Sequence, residues 1–270
     1  MTLEYEPPLR IGKFRLSLFN LGPFQDFLSR LIYKWKGVTV VVFGASGVGK
    51  SSLIRNYFGI DLQPGATDTL SKLRTELNDQ DVVVIDTPGD PIFFAEVERA
   101  IRDLNAGRKV CLVHVVACGF LEPYELLSDD GMEHFLANGG TAPILDGDVD
   151  PNFLSLMKVR EEKYFDKVFK ESIVNYDGVV GLITVVNKKD LWDARSDGSD
   201  VYQKYSNEEI FGTIAKEKIP SDRYTVLPAV AFDDKYFNVD IPRNTPTAGE
   251  REQMARRFVA AVTRLLPETD

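Results

Sequence analysis

Residues 38–51 read VTVVVFGASGVGKS, a run of apolar and β-branched residues that passes directly into a loop with three glycines. The run has the composition of a strand buried on both faces of a parallel sheet. Gly44, Lys50 and Ser51 fit the pattern G-x-x-x-x-G-K-[ST], and a stretch of helical character begins at Lys50. Glycine permits backbone conformations that turn successive N–H groups towards one point, and a helix start adds its positive dipole end. The stretch therefore predicts a strand, a phosphate-binding loop and a helix, in that order.

Two side chains of this loop carry specific chemistry. We expect Lys50 to bridge terminal phosphates as a point charge, and the Ser51 hydroxyl to ligate Mg²⁺. The other predicted nucleotide contacts are the rest of the loop and the residue after Ser51, namely Gly44, Ala45, Ser46, Gly47, Val48, Gly49 and Ser52. The alternative interpretation is a glycine turn that precedes a helix and binds no ligand.

The second motif is Asp86-Thr87-Pro88-Gly89, which follows the apolar run 82–85. A D-x-x-G pattern occurs about once by chance in a chain of this composition, so its position gives it weight. A carboxylate at a strand end beside a phosphate loop can hold Mg²⁺ through water, which is the role we predict for Asp86. The Gly89 N–H can sense a terminal phosphate and release the loop after it when that phosphate is gone.

The third motif is Asn187-Lys188-Lys189-Asp190, which follows the apolar run 179–186. An aspartate there accepts hydrogen bonds from the ring N–H and the exocyclic amine of guanine, whereas adenine offers no matching pair of donors. Asn187, Lys188 and Asp190 are therefore predicted guanine-nucleotide contacts. The alternative is a charged turn between a strand and a helix.

In this order the three motifs resemble those of the translation-factor-related P-loop GTPases, and they are similar to the motifs of Ras-like and Era-like G domains. The resemblance identifies no subfamily. It implies a three-layer α/β fold with a mostly parallel central sheet, one antiparallel edge strand and helices on both faces. It also implies GTP or GDP and Mg²⁺ as ligands, and hydrolysis of GTP to GDP and phosphate as a molecular switch.

The same resemblance implies three further site residues. Thr67, with Thr69 as the alternative, lies in the loop 64–69, where the family carries a threonine that ligates Mg²⁺ and takes part in catalysis. The backbone N–H of Ala229, after the last core strand, is expected to face the oxygen of the base. Asp90 stands where Ras-like proteins carry a glutamine that orients water, and an ionised aspartate only accepts hydrogen bonds, so hydrolysis without help is expected to be slow.

Apolar runs alternate with helix-like stretches, which indicates the α/β class. The predicted strands are Val38–Phe43, Leu70–Leu77, Val82–Ile85, Val110–Ala117, Val179–Val186 and Tyr224–Leu227. The run Leu70–Leu77 is expected to form a hairpin with 82–85 through a turn at 78–80. The predicted helices are Lys50–Phe58, Pro91–Asn105, Pro151–Asn175, Asn207–Lys216 and Thr247–Leu266.

Residues 38–270 are thus expected to form one G domain with an enlarged insertion at about 119–178. Residues 1–37 are expected to add a helical extension that packs on this domain, since one helical stripe holds Phe24, Phe27, Leu28, Leu31, Ile32 and Trp35. A peripheral membrane contact through this stripe is the less favoured alternative.

Composition limits the partners and the compartment. The 270 residues carry 41 acidic and 32 basic side chains, and the net charge of −9 argues against a large electrostatic footprint on nucleic acid. Cys111 and Cys118 lie in one apolar run, which is typical of buried thiols in a reducing compartment and gives little support to zinc. We therefore expect a cytoplasmic protein.

Two other functions compete with a switch GTPase. One is a catalytically weak guanine-nucleotide-binding scaffold, which acts through partner binding or nucleotide-dependent dimerisation at the switch loops and the 119–178 insertion. The other is an ATP-dependent kinase or synthetase, which the motif at 187–190 disfavours.

Overall fold

The structure is a computed structural model of the 270-residue chain. It describes residues 9–11, 14–16, 38–60, 71–77, 80–90, 109–168, 178–195, 203, 219–230 and 236–265. The predicted helices Pro91–Asn105 and Asn207–Lys216, the stripe at 24–35, and both threonines of the loop 64–69 lie outside the described residues.

A six-stranded sheet forms the centre of the described chain, in the order β10-β9-β6-β3-β5-β4. Its strands are β3 (Val38–Phe43), β4 (Ser71–Leu77), β5 (Gln80–Asp86), β6 (Val110–Val116), β9 (Val179–Val186) and β10 (Tyr224–Pro228). Every neighbouring pair is parallel except β4 and β5, which are antiparallel and place β4 at the edge. The predicted α/β class, the mostly parallel sheet and the antiparallel edge strand are confirmed.

The long helices pack on opposite faces of this sheet. His114 of β6 is stacked between Phe43 and Phe165, which lies on the helix α3 (Pro151–Val168). Cys111 of β6 has the opposite orientation, because side chains alternate along a strand, and it pairs with Gly181 of β9. A Cβ placed on Gly181 would meet Leu265 of the helix α5 (Ala248–Leu265) at 2.6 Å. The sheet therefore lies between α3 and α5, which gives three layers.

The helix α1 (Lys50–Phe58) belongs to the same face as α5, since Tyr57 and Phe58 both make edge contacts with Phe258 of α5. Its bounds agree with the predicted helix. The helices α3 and α5 are also close to their predictions, although residues 169–177 lie outside the described part of the chain.

The segment 117–168 has more secondary structure than the sequence analysis predicts. It contains the 3₁₀ turn Tyr124–Leu126, the helix α2 (Asp129–Ala137), and a hairpin of β7 (Ile144–Leu145) and β8 (Asp148–Val149). Ser128 caps α2 by accepting a hydrogen bond from the Gly131 N–H at 3.2 Å. Met132 and Phe135 of α2 are partly buried and pack against the core, and the Phe135 ring makes an edge contact with Phe153 of α3.

The N-terminal region contains a second unpredicted hairpin, in which β1 (Leu9–Ile11) pairs with β2 (Phe14–Leu16) in antiparallel fashion. The short helix α4 (Lys189–Trp192) follows β9. Within the described ranges, none of the helices combines the length and the apolar character that crossing a bilayer requires.

Candidate nucleotide-binding site

The loop 44–49 links β3 to α1 and has the backbone of an anion site. Gly47 and Gly49 have φ values of +79° and +87°, in the left-handed region that side chains disfavour. α1 begins directly after Gly49, and its first turn has no acidic residue. The positive end of the helix therefore faces the loop without a neighbouring negative charge from that turn, which suits a phosphate.

Lys50 holds its ammonium group inside this loop. The side chain is buried, with 7% of the residue exposed, and Nζ donates to the carbonyl oxygens of Gly44 at 2.9 Å and Ala45 at 3.2 Å. Burial lowers the pKa of Lys50 to about 8, and the negative charge of Asp86 opposes this effect. A bound phosphate would favour the charged form, so the lysine is placed to neutralise one.

Ser51 and Asp86 meet beside the loop, as the predicted metal site requires. The Ser51 hydroxyl donates to Oδ2 of Asp86 at 2.8 Å, and Asp86 is fully buried at the end of β5. A hydroxyl and a carboxylate are the hard oxygen donors that Mg²⁺ takes together with substrate phosphates. Within the described residues there is no group of three or more His, Cys, Asp or Glu side chains that could hold a metal ion without such a substrate. The donors therefore fit a magnesium ion shared with a phosphate.

The turn 87–90 is pressed against the phosphate loop. Thr87 donates through both its N–H and its hydroxyl to the Val42 carbonyl, at 3.2 and 3.0 Å. A Cβ added to Gly89 would lie 2.5 Å from the Ser46 nitrogen, so only glycine fits there. Asp90 is half-buried at the end of the turn. The turn thus brings Gly89 to the loop as predicted, whereas Thr67 lies outside the described residues.

Asn187 and Asp190 occupy the other end of the site. The Asn187 side-chain amide donates to the Val48 carbonyl at 2.8 Å and so ties the turn after β9 to the phosphate loop. Asp190 is 5% exposed, and within the described residues its Oδ1 is buried without a hydrogen-bond partner. A buried carboxylate oxygen in this state is costly unless a ligand completes it. Asp190 is therefore suited to accept the N–H groups of a guanine.

Arg243 lies next to this carboxylate, and the sequence analysis does not predict it. Its Nη1 is 3.4 Å from Oδ2 of Asp190, and the Asn244 N–H donates to the Asp190 backbone carbonyl at 2.7 Å. Burial raises the pKa of Asp190 above its ordinary value, and the positive charge of Arg243 opposes that shift. Because these residues lie more than fifty positions after the motif they support, no spacing pattern points to them.

The predicted role of the Ala229 N–H is wrong for this structure. This N–H donates to the Val186 carbonyl at 2.9 Å and so continues the pairing of β10 with β9. The next N–H, that of Val230, donates to the Tyr57 hydroxyl at 3.4 Å. The predicted donor to the base oxygen is thus used by the sheet, and the missing serine of the family pattern is consistent with this departure.

The 119–178 insertion also touches the site. A Cβ on Gly47 would lie 2.2 Å from the backbone of Glu122, which shows how closely the insertion covers the phosphate loop. Tyr164 of α3 donates through its hydroxyl to the Pro88 carbonyl at 3.0 Å. These contacts join the insertion directly to the phosphate loop and to the turn 87–90.

Comparison with known proteins gives a matching family model and similar solved structures. A family model described as 50S ribosome-binding GTPase matches residues 39–139. A crystal structure of Toc33 from Arabidopsis thaliana, a dimerization-deficient mutant, aligns with 16% sequence identity and a TM-score of 0.47. That alignment covers 90% of this chain and 89% of Toc33. None of the curated proteins matches this chain.

Proposed function

Since residues 39–139 match a GTPase family model, we propose that this chain is a P-loop GTPase that binds GTP with Mg²⁺, hydrolyses it to GDP and phosphate, and acts as a molecular switch. One observation carries the proposal. The phosphate loop, the Ser51–Asp86 pair and the turn 187–190 lie at the carboxyl edge of one mostly parallel sheet, and hydrogen bonds join Ser51 to Asp86 and Asn187 to Val48 of the loop. Ligands bind at this edge in open α/β sheets.

Each group has a defined part in the proposed reaction. Lys50 and the N–H groups of the loop would bind the phosphates and neutralise the charge that develops on the transferred phosphoryl group. Ser51 and Asp86 would hold Mg²⁺, which neutralises charge between the terminal phosphates. The Gly89 N–H would contact the terminal phosphate. When that phosphate leaves after hydrolysis, the turn 87–90 would be released. Water is the nucleophile, and no covalent intermediate forms.

Asp90 determines how fast this reaction is expected to be. A glutamine amide both accepts from the attacking water and donates to the phosphate, whereas an ionised carboxylate only accepts. The three motifs contain no arginine, and an arginine finger is worth about 10³–10⁵ in rate. We therefore propose slow unassisted hydrolysis, with the missing donor supplied by a partner, a second copy or another segment of the chain.

The second candidate is the weakly catalytic scaffold, and the insertion surface favours it. Six of the seven exposed large hydrophobic side chains of the described residues lie between 124 and 159. One of them, Tyr124, lies next to the phosphate loop, since its N–H approaches the Ser46 hydroxyl at 3.5 Å. A second copy that packs on this surface would thus sense the nucleotide.

Turnover of GTP per molecule across a protein concentration series tests the proposal, with Asp90→Ala measured in parallel. A switch GTPase shows slow turnover with Mg²⁺ that stops when the metal is chelated. A rate that rises with protein concentration supports a group contributed by a second copy. Tight GTP binding with no phosphate release at any concentration establishes the scaffold instead. Fast turnover that collapses in Asp90→Ala would show that Asp90 itself positions the water.

A further inference from the structure

Lys188 occupies a strained position in the middle of the guanine-facing turn. Its φ of 56° lies in the left-handed region, which is uncommon for a residue with a side chain. The residue is 2% exposed and stands between Asn187, which reaches the phosphate loop, and Asp190. The contacts of the Lys188 side chain therefore influence where the Asp190 carboxylate lies.

Those contacts come from two other parts of the chain. Nζ of Lys188 donates to Oε2 of Glu122 at 2.7 Å, in an ion pair whose side chains are 3% and 17% exposed. The same ammonium lies 5.3 Å from the centre of the Tyr236 ring, within the range of a cation–π contact. Glu122 is thus the negative partner of a buried lysine.

Glu122 joins three segments at once. Its Oε1 accepts the Phe237 N–H at 2.8 Å, and its own N–H donates to the Gly47 carbonyl at 3.3 Å. The Tyr236 hydroxyl donates to the neighbouring Leu121 carbonyl at 2.9 Å. The guanine-facing turn and the segment 236–239 thus share the Glu122 carboxylate, and the phosphate loop is bound by the backbone N–H of the same residue.

The loop that carries Glu122 is itself anchored to the insertion helix α3. The Glu161 side chain, fully buried on α3, accepts hydrogen bonds from the N–H groups of Ala117 and Gly119. Cys118 between them has a φ of 54°, so the two N–H groups turn towards one carboxylate. The position of Glu122 is therefore fixed by the insertion and not by a mobile side chain alone.

We propose that Glu122 is a positioning residue for guanine recognition, which holds Lys188 and thereby places the Asp190 carboxylate at the base. The inference rests on the proposed function and extends it, since it makes the 119–178 insertion part of the nucleotide affinity. Removing one partner of a buried ion pair leaves an uncompensated charge, so the turn 187–190 would shift when the Glu122 charge is lost.

The test compares Glu122→Gln with Glu125→Gln by the dissociation rate of fluorescent GDP. Each substitution removes one negative charge, and the two positions are three residues apart. Glu125, however, pairs with Arg160 on the surface and not with the buried Lys188. We expect GDP to dissociate at least about tenfold faster from Glu122→Gln, and at the wild-type rate from Glu125→Gln. Equal rates in wild type and Glu122→Gln would overturn the inference.

Base discrimination separates positioning from a general structural role. Inosine diphosphate lacks the exocyclic amine of guanine, so its binding depends less on the place of the Asp190 carboxylate. Glu122→Gln should therefore reduce the preference for GDP over inosine diphosphate. A loss of affinity that is equal for both nucleotides would assign Glu122 to the structure of the loop and refute the proposal.

The path through Lys188 is tested by a double-mutant cycle with Lys188→Met. In that background Glu122→Gln should change the GDP dissociation rate by less than about threefold, and a full additional effect would contradict the path. If Glu122→Gln does not fold, as judged by its melting transition, Glu122→Asp retains the charge at a shorter reach and should give an intermediate rate. A wild-type protein that fails to bind GDP would refute the proposed function and this inference with it, whereas tight wild-type binding with an unchanged dissociation rate in Glu122→Gln would refute the inference alone.

Discussion

The Asp190→Asn substitution tests the guanine assignment most directly. Asp190 is almost fully buried, and within the described residues its Oδ1 is a buried carboxylate oxygen without a hydrogen-bond partner. A hydrogen bond to a charged group contributes about 1.5–3 kcal/mol, and each 1.4 kcal/mol is a factor of ten. GTP affinity should therefore fall by about 10-fold to 150-fold in Asp190→Asn.

The same substitution should raise the affinity for xanthosine triphosphate. Xanthine carries an oxygen where guanine has its exocyclic amine, and an asparagine amide can donate to that oxygen while a carboxylate repels it. Competition of both nucleotides against fluorescent GDP measures the two effects. Asp193→Asn is the matched control, because it removes a charge three residues after Asp190, at a side chain paired with Lys189 and Asn244. An equal loss of both nucleotides in Asp190→Asn would refute the assignment.

Three further outcomes follow from burial and close packing. GDP affinity should fall as the pH rises through about 8, because the pKa of Lys50 is about 8 and only the protonated lysine neutralises phosphate. Binding titrations with GDP from about pH 7 to 9.5 check this prediction, and an affinity that does not change with pH contradicts it. Gly89→Ala should lower the free energy of unfolding by about 1–3 kcal/mol in urea, since its Cβ has no room, whereas Gly249→Ala, which faces open space, should not. Burial lowers the pKa of His114 to about 3 from 6.5, so the unfolded state binds more protons below pH 6.5, and stability should be lost as the pH falls from there towards 3. In urea unfolding, His114→Phe should flatten this dependence of stability on pH. An unchanged pH dependence in this variant would exclude His114 as its source.

The sheet and its phosphate loop could be predicted because local sequence determines them. Apolar runs such as 110–116 are buried on both faces, and such runs carry a strong strand signal. The order of the motifs along the chain then places Asp86 and Asn187 at the carboxyl ends of two strands of the same sheet, β5 and β9. The same order places Ser51 and Asp86 at one end of the sheet, and the structure brings the two side chains together as predicted.

The frame around the base could not be predicted in the same way. Arg243 and Glu122 reach Asp190 and Lys188 across 53 and 66 residues, and neither belongs to a repeated or periodic pattern. The predicted contact of the Ala229 N–H with the base oxygen failed because this N–H donates a hydrogen bond to β9. Only the register of β10 against β9 reveals this bond. Contacts of this kind depend on tertiary packing, which the spacing of residues along the sequence does not predict.

The bond between Asn187 and Val48 has a consequence for how the protein is made. It joins residues 139 positions apart, and the Val230 N–H reaches Tyr57 over 173 positions. During synthesis the phosphate loop leaves the ribosome long before either partner does, and a domain folds as a unit once its distant contacts can form. A nascent chain that stops before residue 187 would contain the phosphate loop without the hydrogen bond from Asn187 that holds it. Competence to hold a nucleotide is therefore acquired late in translation, when the last strands join the sheet.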